Sequence, residues 1–446
     1  MVNSNKPEIS VFGLGYVGLT LALVLSENGF KVRGVEVSDD IITKIKTGRA
    51  HFYENGLNDL LAAQLENGFS CVCGISDNKS SVYIIAVGTR VDENNQPDFR
   101  ELRSSSENIG QVLKIGDLVI LRSTVPIGVT RNFVIPILEK LSGLKAGEDF
   151  YISFAPERTA EGAALEELKT LPQIVGGLNR LSCEKTIEVF STFTPNIVIV
   201  SSLEGAEMVK MVNNTYRDLN FAFANELSLI CSRFNLDTNQ IINAANSGYR
   251  RSHMPLPSPG VGGYCLTKDP FLLVYSSEQK GYSPRLPKIG REINYSMPRF
   301  VASRIMDFIN KYYKTNEDIK ISILGFAFKG NPPTSDVRFS PTIDLIEILK
   351  KEKINLDLNC HDFLVEEDVI KKRGVKYVRD VNGVFSGSSV VVVMTNHPDY
   401  VNLPIVSLAE TMKKPSLLFD TWNIFDKELV GQNNQIYYSN LGYLNF

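Results

Sequence analysis

The chain has 446 residues, near-average charged and apolar fractions and a formal net charge of −3. That length exceeds a single hydrophobic core, so two or three domains are expected. The charge excludes a general nucleic-acid binder, whose footprint would be basic. No apolar run approaches the roughly 20 residues that a membrane span requires. Residues 1–10 lack the charged-then-apolar order of a signal peptide, so a cytoplasmic location is expected. The cysteines at 71, 73, 183, 231, 265 and 360 are scattered, as are the histidines at 51, 253, 361 and 397. Neither pattern has metal-ligand spacing, and no metal is expected.

The first predicted strand is Ile9–Phe12, followed by Gly13-Leu14-Gly15-Tyr16-Val17-Gly18 and a helical pattern that Gly29 stops. A second strand over residues 31–35 ends at Glu36, 23 residues beyond Gly13. Strand, glycine turn, helix, strand and acid stand in the order of a dinucleotide fingerprint. Gly13 makes the turn, Gly15 admits a pyrophosphate to the helix N-terminus, and Gly18 lets helix and strand pack. An acid at 36 suits a free 2′-hydroxyl and repels a 2′-phosphate, which favours NAD over NADP.

Apolar strands are predicted over residues 81–87, 117–121, 150–154 and 196–200, and read as buried parallel strands of a doubly wound sheet. Gly88-Thr89, Ser123-Thr124 and Pro156-Glu157 follow three of them, at the edge where open α/β sheets bind ligands. Ordinary loop caps are the plain alternative.

Residues 204–233 contain no proline and no glycine beyond Gly205, and Ala206, Val209, Val212, Leu219, Phe223, Leu227 and Ile230 recur at helical spacing. A long buried helix is expected. Lys210 and Asn214 share one of its faces, either turned into a site or along a solvated edge. The segment 260–270 then places Cys265 after paired glycines, with Lys268 and Asp269 beyond it. An activated thiol needs such company, whereas most lone cysteines are inert core residues. Cys265 is expected on a non-helical turn, with a helix starting at Asp269 and Pro270.

A second α/β pattern follows: strands over 319–325, 354–358, 389–394 and 416–419, and a helix over 341–350. Its first turn, residues 325–330, lacks the GxGxxG spacing and is expected to hold a different ligand. Lys329 and Arg338 are candidate anion contacts there, or surface charges. The expected architecture is α/β, with two Rossmann-like doubly wound domains joined by a long central helix and divided as 1–203, 204–314 and 315–446.

The whole chain resembles the UDP-glucose/GDP-mannose dehydrogenase family. The resemblance rests on GLGYVGL at 13–19, STVPIG at 123–128, PER at 156–158, EMVKMVNNTYRDLNFAFANE at 207–226, GVGGYCLTKDP at 260–270 and GFAFKGNPPTSDVRFSP at 325–341. It implies a four-electron oxidation of the C6 alcohol of a nucleotide sugar by two NAD, with Cys265 as the nucleophile. The first hydride transfer gives an aldehyde, which the thiolate traps as a thiohemiacetal; the second gives a thioester that water hydrolyses. By position, Lys210 and Asn214 match residues that stabilise oxyanion charge, and Asp269 and Thr124 match residues associated with the hydrolytic water. Glu157 and Glu161 match two family glutamates, and which is the working base stays open. The resemblance extends the cofactor set to Tyr16, Val17, Gly88, Thr89, Ser123 and Thr124. The implied substrate contacts are Lys210, Asn214, Arg217, Arg250, Arg251, Gly262, Phe328, Lys329 and Arg338.

The stretch 214–220 resembles the NTxRDxN pattern of the UDP-N-acetylhexosamine branch, and 259–263 points the same way. A UDP-N-acetylhexosamine substrate is therefore expected, with UDP-glucose as the alternative and a two-electron 3-hydroxyacid-type dehydrogenase as a second. Three positions depart from the family pattern: Gly88-Thr89-Arg90 for the commoner Pro-Thr-Pro, Tyr264 for a histidine, and Trp422 for an arginine. Arg250 and Arg251 resemble an arginine that reaches a neighbouring subunit's substrate. With the central helix they imply a homodimer; a solvated arginine pair is the alternative.

Overall fold

The computed structural model of the chain describes residues 6–75, 77, 79–314, 317–430 and 435–443. The first five residues, read for targeting, and the expected boundary at Thr315 lie outside them. The chain divides into two compact units, residues 1–214 with 271–283 and residues 215–270 with 284–446.

The first unit holds β1 (Ile9–Phe12), β2 (Val32–Val35), β3 (Phe69–Val72), β4 (Val82–Ile85), the short antiparallel pair β5 (Arg90–Val91) and β6 (Pro97–Asp98), β7 (Leu118–Leu121), β8 (Tyr151–Phe154), β9 (Gln173–Gly177) and β10 (Ile197–Val200). Eight of these form one sheet in the order β10-β9-β8-β7-β4-β1-β2-β3. Every pairing is parallel except β8 with β9. The central strands are mostly Val, Ile and Leu with some Phe and Tyr, because helices cover both faces, giving two apolar clusters. The order reverses between β1 and β4, so the ends of β1, β4, β7 and β8 stand side by side at the ligand-binding edge.

β3 and the β5–β6 pair were not expected, and β9 and β10 depart in other ways. β9 has no strand-like pattern because Gly176 and Gly177 end it. A Cβ on Gly176 would lie 2.3 Å from the Ser202 carbonyl, so glycine is demanded by close packing. β10, expected buried, is instead a sheet edge: Val198 and Ile199 are 46% and 58% exposed.

The second unit holds β11 (Ile319–Leu324), β12 (Leu356–His361), β13 (Lys376–Tyr377), β14 (Val390–Val393), β15 (Ser416–Asp420) and β16 (Ile436–Ser439). They form an all-parallel sheet in the order β13-β12-β11-β14-β15-β16, which also reverses beside its first strand. β12 lies two residues later than its apolar run suggests, because pairing with β11 begins at Ile319 opposite Leu356.

In chain order the two sheets are separated by long helices, Leu203–Phe234 and Leu286–Tyr312. The first forms as expected, but its large apolar residues are not all buried. Val212, Phe223 and Ile230 are exposed, while Ala206, Glu207, Lys210, Met211, Thr215, Asp218, Ala222 and Asn225 are buried. The helix turns its small and hydrogen-bonded polar residues inward. Apolar periodicity therefore marked the buried face only in part: Ala206 is buried and Val209, Leu219 and Leu227 half-buried.

Candidate active site

Around the first glycine turn, Gly13 has φ +83°, a conformation in which an L side chain is strained. A Cβ on Gly18 would fall 1.8 Å from the Gly13 carbonyl oxygen, whereas one on Gly15 would meet open space. Turn and helix are thus closely fitted at Gly18 and leave room at Gly15. Glu36 closes the turn: its carboxylate accepts the N–H of Leu14 at 3.0 Å, and those of Val37 and Ser38 at 2.9 and 3.1 Å. Tyr16 and Val17 are half-buried in the first turn of the helix Tyr16–Glu27, and the Tyr16 ring packs 4.1 Å from Phe52. These residues fit a dinucleotide with its pyrophosphate over Gly15. Gly88 and Thr89 follow β4, with Gly88 exposed and Thr89 buried. Ser123 and Thr124 follow β7, where the Ser123 hydroxyl donates to the Ile85 carbonyl.

Beyond β8, Glu157 is buried against Arg122. One oxygen accepts Arg122 Nε at 3.1 Å and a short contact from Nη2, while the other accepts the N–H groups of Arg158 and Thr159. Arg122 also reaches the Ala155 carbonyl and Gln173. Burial alone would push the Glu157 carboxyl up, but Arg122, the Thr159 N–H and Lys210 together hold it below the usual carboxylate range. Glu161 is half-buried four residues on. Glu54 accepts the N–H groups of Gly162 and Ala164, which fixes the backbone just past Glu161.

On the central helix, Lys210 is 7% exposed and Asn214 is half-buried, so the lysine is no solvated edge. Its charge is felt at Glu157. One turn earlier, Glu207 accepts the backbone N–H groups of Gly128 and Thr130 and the Thr130 hydroxyl. These bonds hold the turn after β7 to the helix that carries Lys210.

In the second unit the cysteine segment corrects the sequence reading. The helix starts at Tyr264 and runs to Glu278, with Pro270 inside it, so Cys265 occupies the first helical turn. Gly263, at φ +84°, opens the helix, and its carbonyl accepts the Thr267 N–H at 3.3 Å and hydroxyl at 2.8 Å. Pro270 has no N–H to offer the Leu266 carbonyl one turn back. Cys265 is exposed. Lys268, one turn on, is buried and bonds Asp269 Oδ1 at 2.6 Å. Burial would lower the lysine's pKa, but Asp269 and Cys265 raise it. By the same coupling, Lys268 and the helix N-terminus favour a thiolate at 265.

The glycine pair is packed by the loop beyond β11. A Cβ on Gly262 would lie 2.3 Å from the Phe339 carbonyl, and one on Gly263 would lie 2.6 Å from the Phe328 ring. Arg338 pairs in bidentate fashion with Asp336, at 2.6–3.0 Å, and its guanidinium lies over the Tyr264 ring at 4.8 Å. The Lys268 ammonium lies over the same ring at 5.1 Å. Lys329 is half-buried with its ammonium over the Phe328 ring. In the place of a ribose-binding acid, Asp362 follows β12 but accepts the N–H groups of Phe326, Ala327, Leu364 and Val365. Trp422 donates its indole N–H to the Met394 carbonyl at 2.9 Å. Arg217, Arg250 and Arg251 are exposed.

Residues 7–194 match the NAD binding domain of the UDP-glucose/GDP-mannose dehydrogenase family, residues 204–296 its central domain and residues 322–427 its UDP binding domain. The chain belongs to that family. It is 32% identical over 427 residues to the UDP-N-acetyl-D-mannosamine dehydrogenase of Pyrococcus horikoshii, covering 95% of this chain and 97% of that one. It is 30% identical over 424 residues to the UDP-N-acetyl-D-glucosamine 6-dehydrogenase of Pseudomonas aeruginosa, covering 94% and 98%. The solved structure of the Pyrococcus horikoshii UDP-D-ManNAc dehydrogenase superposes with a TM-score of 0.85 at 30% identity, covering 98% and 99%.

As a member of this family, the chain is an NAD-dependent nucleotide-sugar dehydrogenase with the dinucleotide turn in its first unit and the UDP binding domain in its second. Sequence reasoning missed Arg122, Glu207 and Glu54, which act on the backbone around residues 123–130 and 156–164. Lys268, read from the sequence as company for the thiol, stands one helical turn beyond Cys265 and is buried. Among the described residues, no group of three or more His, Cys, Asp or Glu side chains is placed to hold a metal ion. None of the described helices is long and apolar enough to cross a membrane.

Proposed function

We propose that the protein oxidises the C6 alcohol of a UDP-N-acetylhexosamine to the carboxylate in two NAD-dependent steps, with Cys265 as the covalent nucleophile. The observation that carries this reading is the exposed thiol in the first turn of a helix, one turn from the buried Lys268. The substrate class rests on the two named relatives, together with the segments 214–220 and 259–263. NAD, when bound, accepts the hydride at each step. Gly13, Gly15, Tyr16, Val17, Gly18, Glu36, Gly88, Thr89, Ser123 and Thr124 hold and orient it.

In this reading the Cys265 thiolate adds to the aldehyde, and the resulting thiohemiacetal is oxidised to a thioester. Lys210 and Asn214 supply positive and hydrogen-bonding character to the oxygen that gains charge as the carbonyl carbon becomes tetrahedral. Asp269 and Thr124 order the hydrolytic water. Of the two glutamates, Glu157 has both oxygens committed to Arg122 and the backbone, so Glu161 takes the proton of that water. Phe328, Lys329, Arg338 and Gly262 surround the nucleotide portion, with Arg217, Arg250 and Arg251 as further anionic contacts. The functional division remains 1–203 for NAD, 204–314 for catalysis and association, and 315–446 for UDP, in a cytoplasmic homodimer.

NADH released per sugar, across UDP-glucose and the UDP-N-acetylhexosamines, tests the proposal. Two NADH per UDP-N-acetylhexosamine are expected, and none beyond the first step with Cys265→Ser. Preference for UDP-glucose would overturn the substrate assignment. One NADH per sugar, unaffected by Cys265→Ser, would return the two-electron 3-hydroxyacid alternative.

A further inference from the structure

Inside the second unit, a buried polar network joins the central helix to the turn that leads into Cys265. Asp218 Oδ1 accepts Arg291 Nη1 at 2.7 Å and Asn294 Nδ2 at 2.8 Å. Arg291 Nη2 donates to the Val261 carbonyl at 3.1 Å, and its guanidinium lies 4.1 Å over the Tyr295 ring. Asn294 Oδ1 accepts Asn225 Nδ2 at 2.8 Å, and Asn225 Oδ1 accepts the Ser258 N–H at 2.7 Å. The Ser258 hydroxyl donates to the Gly260 carbonyl. Asp218 and Arg291 are each 1% exposed.

The network is poorly explained as a device for stability. Buried ion pairs bring little net gain over apolar packing. Among the described residues, Asp218 Oδ2 and Arg291 Nε find no hydrogen-bond partner, which adds cost. What the network does secure is backbone: the Ser258 N–H and the Val261 carbonyl, just before Gly262-Gly263-Tyr264-Cys265. The segments 214–220 and 259–263, separate in sequence, meet here through Arg291.

We propose that Asp218 and Arg291 are positioning residues for the nucleophile, holding the Val261 carbonyl so that the turn delivers Cys265 into the first helical turn beside Lys268. The proposal rests on the reading of Cys265 as the nucleophile. Loss of the anchor lets the glycine pair relax and moves the thiol from the helix N-terminus and the lysine, the two features that favour its ionised form.

The test is the rate of Cys265 alkylation by iodoacetamide as a function of pH, followed by intact mass in full-length protein. Cys73, the other exposed thiol among the described residues, is first replaced by serine. Asp218→Asn and Arg291→Lys should each slow alkylation near neutral pH about tenfold and raise the pH of half-maximal reaction by about one unit. Turnover should fall in parallel while NAD affinity is retained. Asn225→Ala, which releases the Ser258 N–H without stranding a buried charge, should give a smaller shift in the same direction. It also carries the test if the charge variants do not fold. Folded variants that lose thermal stability but keep the parent alkylation profile and kcat would overturn the proposal. Alkylation needs no turnover, so an active Cys265→Ser enzyme would sink the nucleophile reading and leave the positioning result to stand or fall alone.

Discussion

Thr130 is joined to Glu207 twice, its backbone N–H at 2.9 Å and its hydroxyl at 2.6 Å both reaching Oε1. The other carboxylate oxygen accepts the Gly128 N–H. One side chain on the central helix therefore organises the turn that follows β7.

Burial pushes the Glu207 carboxyl up to about 7 from an ordinary 4.5, against the pull of these donors. A raised carboxylate pKa means the folded state holds the proton more tightly than the unfolded chain. Its contribution to stability is therefore greatest below the ordinary value and declines as pH rises through about 7. Urea unfolding at about pH 5 and about pH 8 should show the parent losing on the order of 3 kcal/mol relative to Glu207→Gln. Parallel pH profiles for the two proteins would refute it.

Gly15 and Gly18 should fail in opposite ways. Gly15→Ala adds a methyl group into open space, so thermal stability should hold while NAD affinity drops tenfold or more, on the order of 1.4 kcal/mol. Gly18→Ala drives a methyl into the Gly13 carbonyl and should lower the melting temperature whether or not NAD is present. Calorimetry and NAD titration separate the two.

Arg122 and Glu157 form a pair with side chains 0% and 7% exposed. Arg122→Met strands a buried carboxylate and should cost roughly 3–5 kcal/mol in chemical unfolding, whereas Arg122→Met with Glu157→Gln should cost less. Because the Glu157 pKa is depressed, the pair's contribution is present above the ordinary glutamate value and lost as acid titrates it. A double variant as unstable as the single would show that packing, not charge, is at stake.

The central helix exposes Tyr216, Phe223 and Phe234 at 66%, 55% and 70%. In the proposed homodimer this stripe is the contact face. Phe223→Glu should then halve the mass seen by light scattering at about micromolar concentration and leave monomer unfolding within about 0.5 kcal/mol of the parent. An unchanged mass would remove the stripe from the interface.

The glycine turn was legible because its demands are local: a positive φ at Gly13, a closed approach at Gly18 and an acid at the next strand end. Four strands of the second sheet were legible from their apolar runs, whereas the two edge strands, β13 and β16, were not. The start of the cysteine helix was not, because Asp269-Pro270 imitates an N-terminus more strongly than Gly263 does. Central-helix burial was misread because Glu207, Asp218 and Asn225 are polar in sequence and become core-compatible only through partners at Thr130, Arg291 and Ser258. Arg122 and Glu157 are 35 residues apart, and only the neighbouring placement of β7 and β8 brings them together.

The Gly262-Gly263 turn packs so closely on Phe328 and Phe339 that the thiol and the loop beyond β11 form one solid block. On the proposed chemistry, one sugar must outlast two cofactors. A covalent bond at Cys265 and a nucleotide grip on that loop are then two ends of the same clamp. Spent NADH can leave and fresh NAD arrive while neither end of the tethered intermediate changes its distance from the other.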